Sequence, residues 1–377
     1  MPPINIDEMR TLARNRLPKT IFEFIDGGAQ DDISMRANRE DFERYGFRTR
    51  VLTDIYQRDQ STTILGEKSA SPLILAPTGL AGILHRRGEL SASRAAHAVG
   101  APYCLSTMAT CSIEQIAEAS NVTRWFQLYV LRDRGLTKTF IDRAKATNCK
   151  ALVLTVDTKM QGSRERDMRN GFTVPPKFTF RTMLDFALHF RWLLDVGLGP
   201  KVTFRNFENS NSKIENAVTI TQFIANQYDL TVNYKDLEWF KTTWGGPVAV
   251  KGVLTGEDAR RCCDHGAIIV SNHGGRQLDG AISAINALPE VAAAVGDRAE
   301  VILDGGIRRG SDVIKALCLG ARACMIGRAW LYDLASGGEA GVARSLDILT
   351  KEIDLALALL GRSRLDELHP EILTARA

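Results

Sequence analysis

The run Ser271-Asn272-His273-Gly274-Gly275-Arg276-Gln277-Leu278-Asp279 carries the densest chemistry in the chain. An imidazole exchanges protons near neutral pH, and a guanidinium grips a carboxylate through two parallel hydrogen bonds. Here the two are separated only by Gly274 and Gly275, and glycine lets backbone approach a ligand closely. The set suits a site that holds a small acid and takes a proton from it. A His-x-x-Arg on its own reads as a solvated turn. This one follows Ala267-Ile268-Ile269-Val270, a β-branched run with the pattern of a buried strand, which puts the pair at a strand end.

Seven further short apolar runs resemble that strand: Leu73–Ala76, Tyr103–Ser106, Trp125–Tyr129, Ala151–Val156, Val248–Lys251, Val301–Asp304 and Ala323–Ile326. Most are separated by stretches with helical spacing of apolar positions, such as Gly88–Val99, Ser112–Ala119, Leu136–Thr147, Gly256–His265 and Gly310–Leu319. Eight buried strands alternating with helices predict an α/β fold, a closed (β/α)8 TIM barrel. The alternative is a doubly wound open sheet, against which stands the lack of a GxGxxG after the first strand. In such barrels the active site gathers at the C-terminal strand ends. Those ends carry Pro77-Thr78-Gly79, Gln127-Leu128-Tyr129, Thr155-Val156-Asp157, Lys251-Gly252, His273 with Arg276, Asp304-Gly305-Gly306 and Gly327-Arg328. Asp304-Gly305-Gly306-Ile307-Arg308-Arg309-Gly310 followed by Gly327-Arg328 has the character of a phosphate site, because backbone amides at glycine turns and helix N-termini favour anions.

The spacing breaks once, between Val156 and Val248. The excess lies at about 171–216, with Pro175-Pro176 at its start and Asn206–Asn211 near its end. Within it, Met183–Val196 is rich in Leu, Phe and Trp but interrupted by Asp185, His189, Arg191 and Asp195. Packing on the barrel or on a neighbouring subunit is the first expectation, and interfacial membrane contact the second. The whole of 1–377 is expected to be a single barrel domain with an N-terminal helical extension. A net charge of +4 with interspersed signs gives no basis for nucleic-acid binding, and 45% hydrophobic with 24% charged residues is ordinary for a globular protein. Seven cysteines (104, 111, 149, 262, 263, 318 and 324) with no CxxC spacing predict buried free thiols in a reducing compartment. No signal-peptide core or membrane-spanning run is present, so a cytoplasmic location is expected.

The nonapeptide at 271–279, in its strand–loop setting, resembles the active-site signature of the FMN-dependent L-2-hydroxy acid dehydrogenases and oxidases. The resemblance extends over nearly the whole chain. It leans towards the quinone-linked bacterial L-lactate dehydrogenases and the mandelate dehydrogenases around Trp125–Gly135 and Asp279–Ser283. It implies FMN as cofactor and His273 as the base, with Asp157 as its partner. Arg276, Arg164 and Tyr129 are implied as substrate-binding residues. Asp304, Gly306, Arg308, Gly327 and Arg328 match residues that hold the flavin phosphate, and Lys251 matches a lysine beside the flavin N1–C2=O edge. Pro77, Thr78, Gly79, Ser106, Gln127 and Thr155 complete the implied cofactor set; no metal is implied. Met108, Met160 and Gln161 are expected to border the substrate side chain, although the methionines serve equally as core filler.

The implied reaction oxidises an L-2-hydroxy acid, L-lactate before mandelate, to the 2-oxo acid. Glycine at 79, where oxidases of the family tend to carry alanine, together with the long loop favours transfer to a quinone or other carrier. The alternatives are an oxidase that releases hydrogen peroxide and a flavin-binding protein with little turnover; an FMN-dependent isomerase is disfavoured by the His273, Arg276 and Arg164 set. The family habit implies a homotetramer. Membrane-associated members carry their membrane-binding segment at the long loop, so peripheral attachment to the cytoplasmic face of the inner membrane is the second reading of location.

Two departures stand out. Phe24 occupies the place of a tyrosine whose hydroxyl contacts the substrate carboxylate, which predicts weaker substrate binding or an altered substrate. The approach His265-Gly266-Ala267-Ile268 is about two residues short, with its expected effect on packing at the far end of the strand.

Overall fold

A computed structural model describes residues 3–172, 177–208 and 227–376. Pro175, Pro176 and residues 209–216 of the expected loop lie outside the described residues. Eight parallel strands close a barrel: β1 (Leu73–Leu75), β2 (Tyr103–Ser106), β3 (Arg124–Tyr129), β4 (Ala151–Thr155), β5 (Val248–Val253), β6 (Gly266–Ser271), β7 (Glu300–Asp304) and β8 (Ala323–Ile326). Each pairs with the next, and β8 returns to β1 through Cys324↔Leu73 and Ile326↔Leu75. The expected helices all form within a few residues of their predicted ends, for instance Gly88–Ala98, Arg134–Ala146 and Gly310–Cys318.

Alternation along the strands decides what faces the barrel axis. Ile74, Cys104, Trp125, Val153, Ala249, Ile269, Ile302 and Met325 form one inner core, separate from the outer core between strands and helices. Each Ile, Val or Met among them, removed from water, contributes roughly 1.5–3 kcal/mol before entropy is counted. Two residues further along, the same inward face turns polar: Ser106, Gln127, Thr155, Lys251, Ser271 and Asp304, all buried. The strand period therefore builds a dry floor and a polar mouth from the same strands. The other end is stoppered by the hairpin Thr62–Ile64 and Glu67–Ser69, whose Ile64 and Leu65 pack against the inner core.

Three helices precede the barrel: α1 (Ile6–Arg16), α2 (Lys19–Asp26) and α3 (Ile33–Glu40). Asn5 caps α1 by accepting from Glu8 N, and Asp7 and Glu8 in its first turn complement the helix dipole. Asp26, near the end of α2, is held by Arg10 at 2.6 and 2.8 Å and by Tyr332 Oη at 2.7 Å. This fixes the C-terminus of α2 over the barrel mouth. The chain before β6 runs from the helix Gly256–Cys262 through one 3-10 turn, Cys263–His265, straight into the strand. Gly266 takes φ 147° there, and a Cβ would lie 2.9 Å from Val248 O. The tight approach is absorbed at the bottom of the barrel, where β5 and β6 pair from Val248↔Gly266 to Lys251↔Ile269 before the register shifts between Lys251 and Val253.

The described part of the long loop contains α4 (Phe180–Leu188) and α5 (Phe190–Gly197). Asp185, Trp192 and Asp195 point inward, whereas Arg181 and Arg191 are exposed. Asp185 accepts from Lys19 N at 2.7 Å, Trp192 Nε1 donates to Ile83 O at 2.7 Å, and Asp195 faces Arg16, Arg86 and His85. Phe180, Leu184, Leu188, Phe190, Leu194 and Leu198 are exposed. Two of the charges that interrupt the apolar run, Asp185 and Asp195, thus fasten the pair to the barrel, and an apolar face is turned outward.

All seven cysteines are free and buried, as expected. No helix among the described residues is long and apolar enough to cross a membrane.

Candidate active site at the barrel mouth

The polar residues above the inner core form two hydrogen-bonded groups. On one side Gln127 donates to Thr155 Oγ1 (2.9 Å), and its Oε1 accepts from Ser106 Oγ (3.1 Å). On the other, Lys251 Nζ meets Asp304 Oδ2 at 2.8 Å and donates to Ser271 Oγ at 3.1 Å, while Ser271 donates to Asp304 at 2.7 Å. Burial alone would lower the Lys251 pKa, but Asp304 and Asp157 outweigh it and the net shift is upward, so the ammonium stays charged.

Ser271 Oγ also accepts from His273 N at 3.0 Å. His273 sits at φ 57°, in the left-handed region that a β-carbon disfavours. Non-glycine residues held there cluster at functional sites, where surrounding structure supports the strain. The His273 Nδ1 lies 3.1 Å from Asp157 Oδ1. A carboxylate only accepts, so Nδ1 carries the proton and Nε2 keeps its lone pair. Thr158 Oγ1 donates to the same Asp157 oxygen at 2.9 Å. Desolvation holds the imidazole below its ordinary pKa against the pull of Asp157. Desolvation also pushes Asp157 up, but His273, Lys251 and Thr158 win and its carboxyl lies below the usual range. The pair is therefore a neutral imidazole backed by a carboxylate near pH 7.

Arg276 donates through Nη1 to Phe24 O and Gly27 O, both at 2.8 Å, and its guanidinium lies 5.4 Å above the Phe24 ring. Its remaining nitrogens donate to nothing among the described residues. Desolvation, Arg164 and Arg328 together press its pKa well down, which means that the cation is uncomfortable and an anionic ligand would relieve it. The Arg164 Nε is buried with no partner among the described residues. Tyr129, at the end of β3, has its phenol pushed up to about 12 by burial.

The β4 and β6 loops are stitched by Gln277, which donates to Asp157 O (2.8 Å) and Met160 O (2.9 Å) and accepts from Gly162 N (3.2 Å). A Cβ at 162 would fall 2.4 Å from Arg276 O, so only glycine allows these loops to close. Neither Gln277 nor Asp167, a buried carboxyl raised by desolvation and lying near Arg276 and Arg164, stands out in the sequence as a site residue. Tyr228, edge-on to Tyr129, is a third addition. Of the expected side-chain border, Met108 packs against the core, whereas Met160 is largely exposed.

A family profile described as FMN-dependent dehydrogenase matches residues 13–375. The chain belongs to that family. It is 43% identical to an L-lactate dehydrogenase of Caulobacter vibrioides (strain NA1000 / CB15N) over 372 residues, 98% of this chain and 97% of the relative. An L-lactate dehydrogenase of Vibrio cholerae serotype O1 (strain M66-2) is 41% identical over 375 residues, 98% of each chain. Among solved structures, a monotopic membrane (S)-mandelate dehydrogenase superposes with a TM-score of 0.96 at 38% identity, covering 100% of both chains.

The mouth fits an FMN. Thr78 Oγ1 is buried without a partner. Among the described residues the amides of Gly305, Gly306 and Gly327 donate no hydrogen bond. Arg308, nearly buried, spends Nη1 on Ile307 O and leaves Nε and Nη2 free. At Gly327 a Cβ would meet nothing closer than Ala76 Cβ at 3.9 Å, so there is room beside the start of the helical stretch Arg328–Leu360, which is kinked at Gly338. Such amides and a guanidinium suit a phosphate. Arg328 lies at the same place but donates to Ile25 O, Gly274 O and Gly27 O, bracing α2 against the His273 loop.

Proposed function

We propose that this chain oxidises an L-2-hydroxy acid, L-lactate first, to the 2-oxo acid and passes the electrons to a quinone. The observation that carries the reading is His273, neutral with a free Nε2 and backed by Asp157, beside two arginines that lack a carboxylate ligand. Arg276 and Arg164 bind the substrate carboxylate, Tyr129 hydrogen-bonds the substrate, and His273 Nε2 takes its proton while Asp157 stabilises the resulting imidazolium. FMN, when bound, accepts the two electrons. Lys251, Asp304, Gly306, Arg308, Gly327 and Arg328 would hold it, with Pro77, Thr78, Gly79, Ser106, Gln127 and Thr155 completing the set. The L-lactate dehydrogenase names of the relatives and the mandelate dehydrogenase neighbour support this class.

The outward apolar face of α4 and α5 sits on a membrane surface, in keeping with the monotopic neighbour, and places the enzyme where a quinone is reached. The assembly is a homotetramer on the cytoplasmic face of the inner membrane.

The test is anaerobic addition of excess L-lactate to the purified holoenzyme. Bleaching of the visible flavin band supports the reading, and a flavin that no L-2-hydroxy acid reduces overturns it. Readmitting air then separates the two acceptor classes: slow recolouring marks a dehydrogenase, rapid recolouring an oxidase.

A further inference from the structure

Tyr228 enters the site from the far side of the long loop. Its backbone forms an antiparallel bridge with Leu131, flanked by Arg132 N to Gln227 O at 2.7 Å and Asp229 N to Val130 O at 3.0 Å. Residues 227–229 therefore run as a short added edge beside the chain leaving β3. The Tyr228 ring meets Tyr129 edge-on, with centroids 5.6 Å apart and planes at 88°. Aromatic pairs prefer this arrangement, and it fixes both rings.

Neither phenol hydroxyl makes a hydrogen bond among the described residues, although both rings pack against the core. Neither hydroxyl oxygen is fully buried, so each is free to donate to a ligand oxygen. Arg164, its Nε buried and unpartnered, is close enough to act electrostatically on both. Burial raises both phenols above their ordinary pKa, so each remains a proton donor at neutral pH.

The geometry points to Tyr228 as a substrate-binding, specificity-determining residue whose hydroxyl donates to an oxygen of the 2-hydroxy acid, alongside Tyr129 and Arg164. This rests on the reading of the site as one for 2-hydroxy acids. Two phenols and a guanidinium make a polar wall that rewards oxygen-bearing ligands, and Tyr228 adds a donor that the residues at the strand ends do not supply.

The experiment compares the holoenzyme with Tyr228→Phe, which keeps the edge-on ring and removes only the hydroxyl. KM and kcat for L-lactate are measured, together with the dissociation constant of oxalate, an unreactive anion followed by its perturbation of the flavin spectrum. A donor to a charged oxygen predicts that KM and the oxalate constant both rise by about tenfold or more. The flavin content and the melting temperature stay as in the parent. An unchanged KM and oxalate constant, with the parent reducing normally, would overturn the role of Tyr228 alone. A parent flavin reduced by no L-2-hydroxy acid would overturn the underlying reading of the site, and this inference with it.

Discussion

Asp157→Asn isolates the charge behind the proposed base. Asparagine retains an oxygen that accepts from His273 Nδ1, so the hydrogen bond and the tautomer survive while the negative charge goes. At the observed 3.1 Å, that charge attracts an imidazolium by about 1 kcal/mol in a water-like dielectric and about 5 kcal/mol at the effective value for protein sites. Proton uptake by His273 should therefore slow by between about tenfold and about five-thousandfold, and the recessed position favours the middle of that range. Anaerobic stopped-flow reduction of the flavin by saturating L-lactate reads this directly. The pH profile adds a sign. Catalysis needs neutral His273, so the rate falls as pH drops through its pKa, which desolvation holds below the ordinary value. Because Asp157 pulls that pKa upward, removing its charge moves the acid limb to still lower pH. A variant that reduces flavin at the parental rate, with its acid limb unmoved, would refute the pairing.

Two further substitutions probe the edges of the account. Phe24 lies 4.6 Å from Phe172 and beneath the Arg276 guanidinium, so Phe24→Tyr brings a hydroxyl to the carboxylate end of the site. It should lower KM for L-lactate by about tenfold, and an unchanged KM would contradict that placement. Replacing exposed Leu188 and Leu194 with glutamate should release the enzyme from sedimenting lipid vesicles while changing folding stability by no more than about 0.5 kcal/mol. Continued sedimentation would show that this face does not touch the membrane.

Much of this architecture is legible in the sequence because period-two alternation writes itself there. An inward apolar position followed two residues later by an inward polar one, as in Ile269 and Ser271 or Ala249 and Lys251, marks both the strand and the end at which chemistry gathers. Backbone partners leave no such mark. All but one of the acceptors of Arg276 and Arg328 are carbonyls at the end of α2, a property of where a helix stops rather than of residue type; the other is Gly274 O. Gln277, although it lies in the run at 271–279, and Tyr228 show no role in the sequence for another reason: each acts across a long separation, Gln277 reaching Asp157 and Tyr228 reaching Tyr129. In the long loop the usual rule reverses. Asp185 and Asp195 face inward to pair with the barrel, so charge interrupting an apolar run marks the attached side.

The central claim is that His273 Nε2 takes the proton of an L-2-hydroxy acid. It is tested most directly by single-turnover, anaerobic reduction of the parent enzyme and His273→Gln, both loaded with FMN, on mixing with L-lactate. The account predicts a parent that bleaches and a variant that keeps its flavin but stays coloured. A His273→Gln enzyme that bleaches at the parental rate would contradict it.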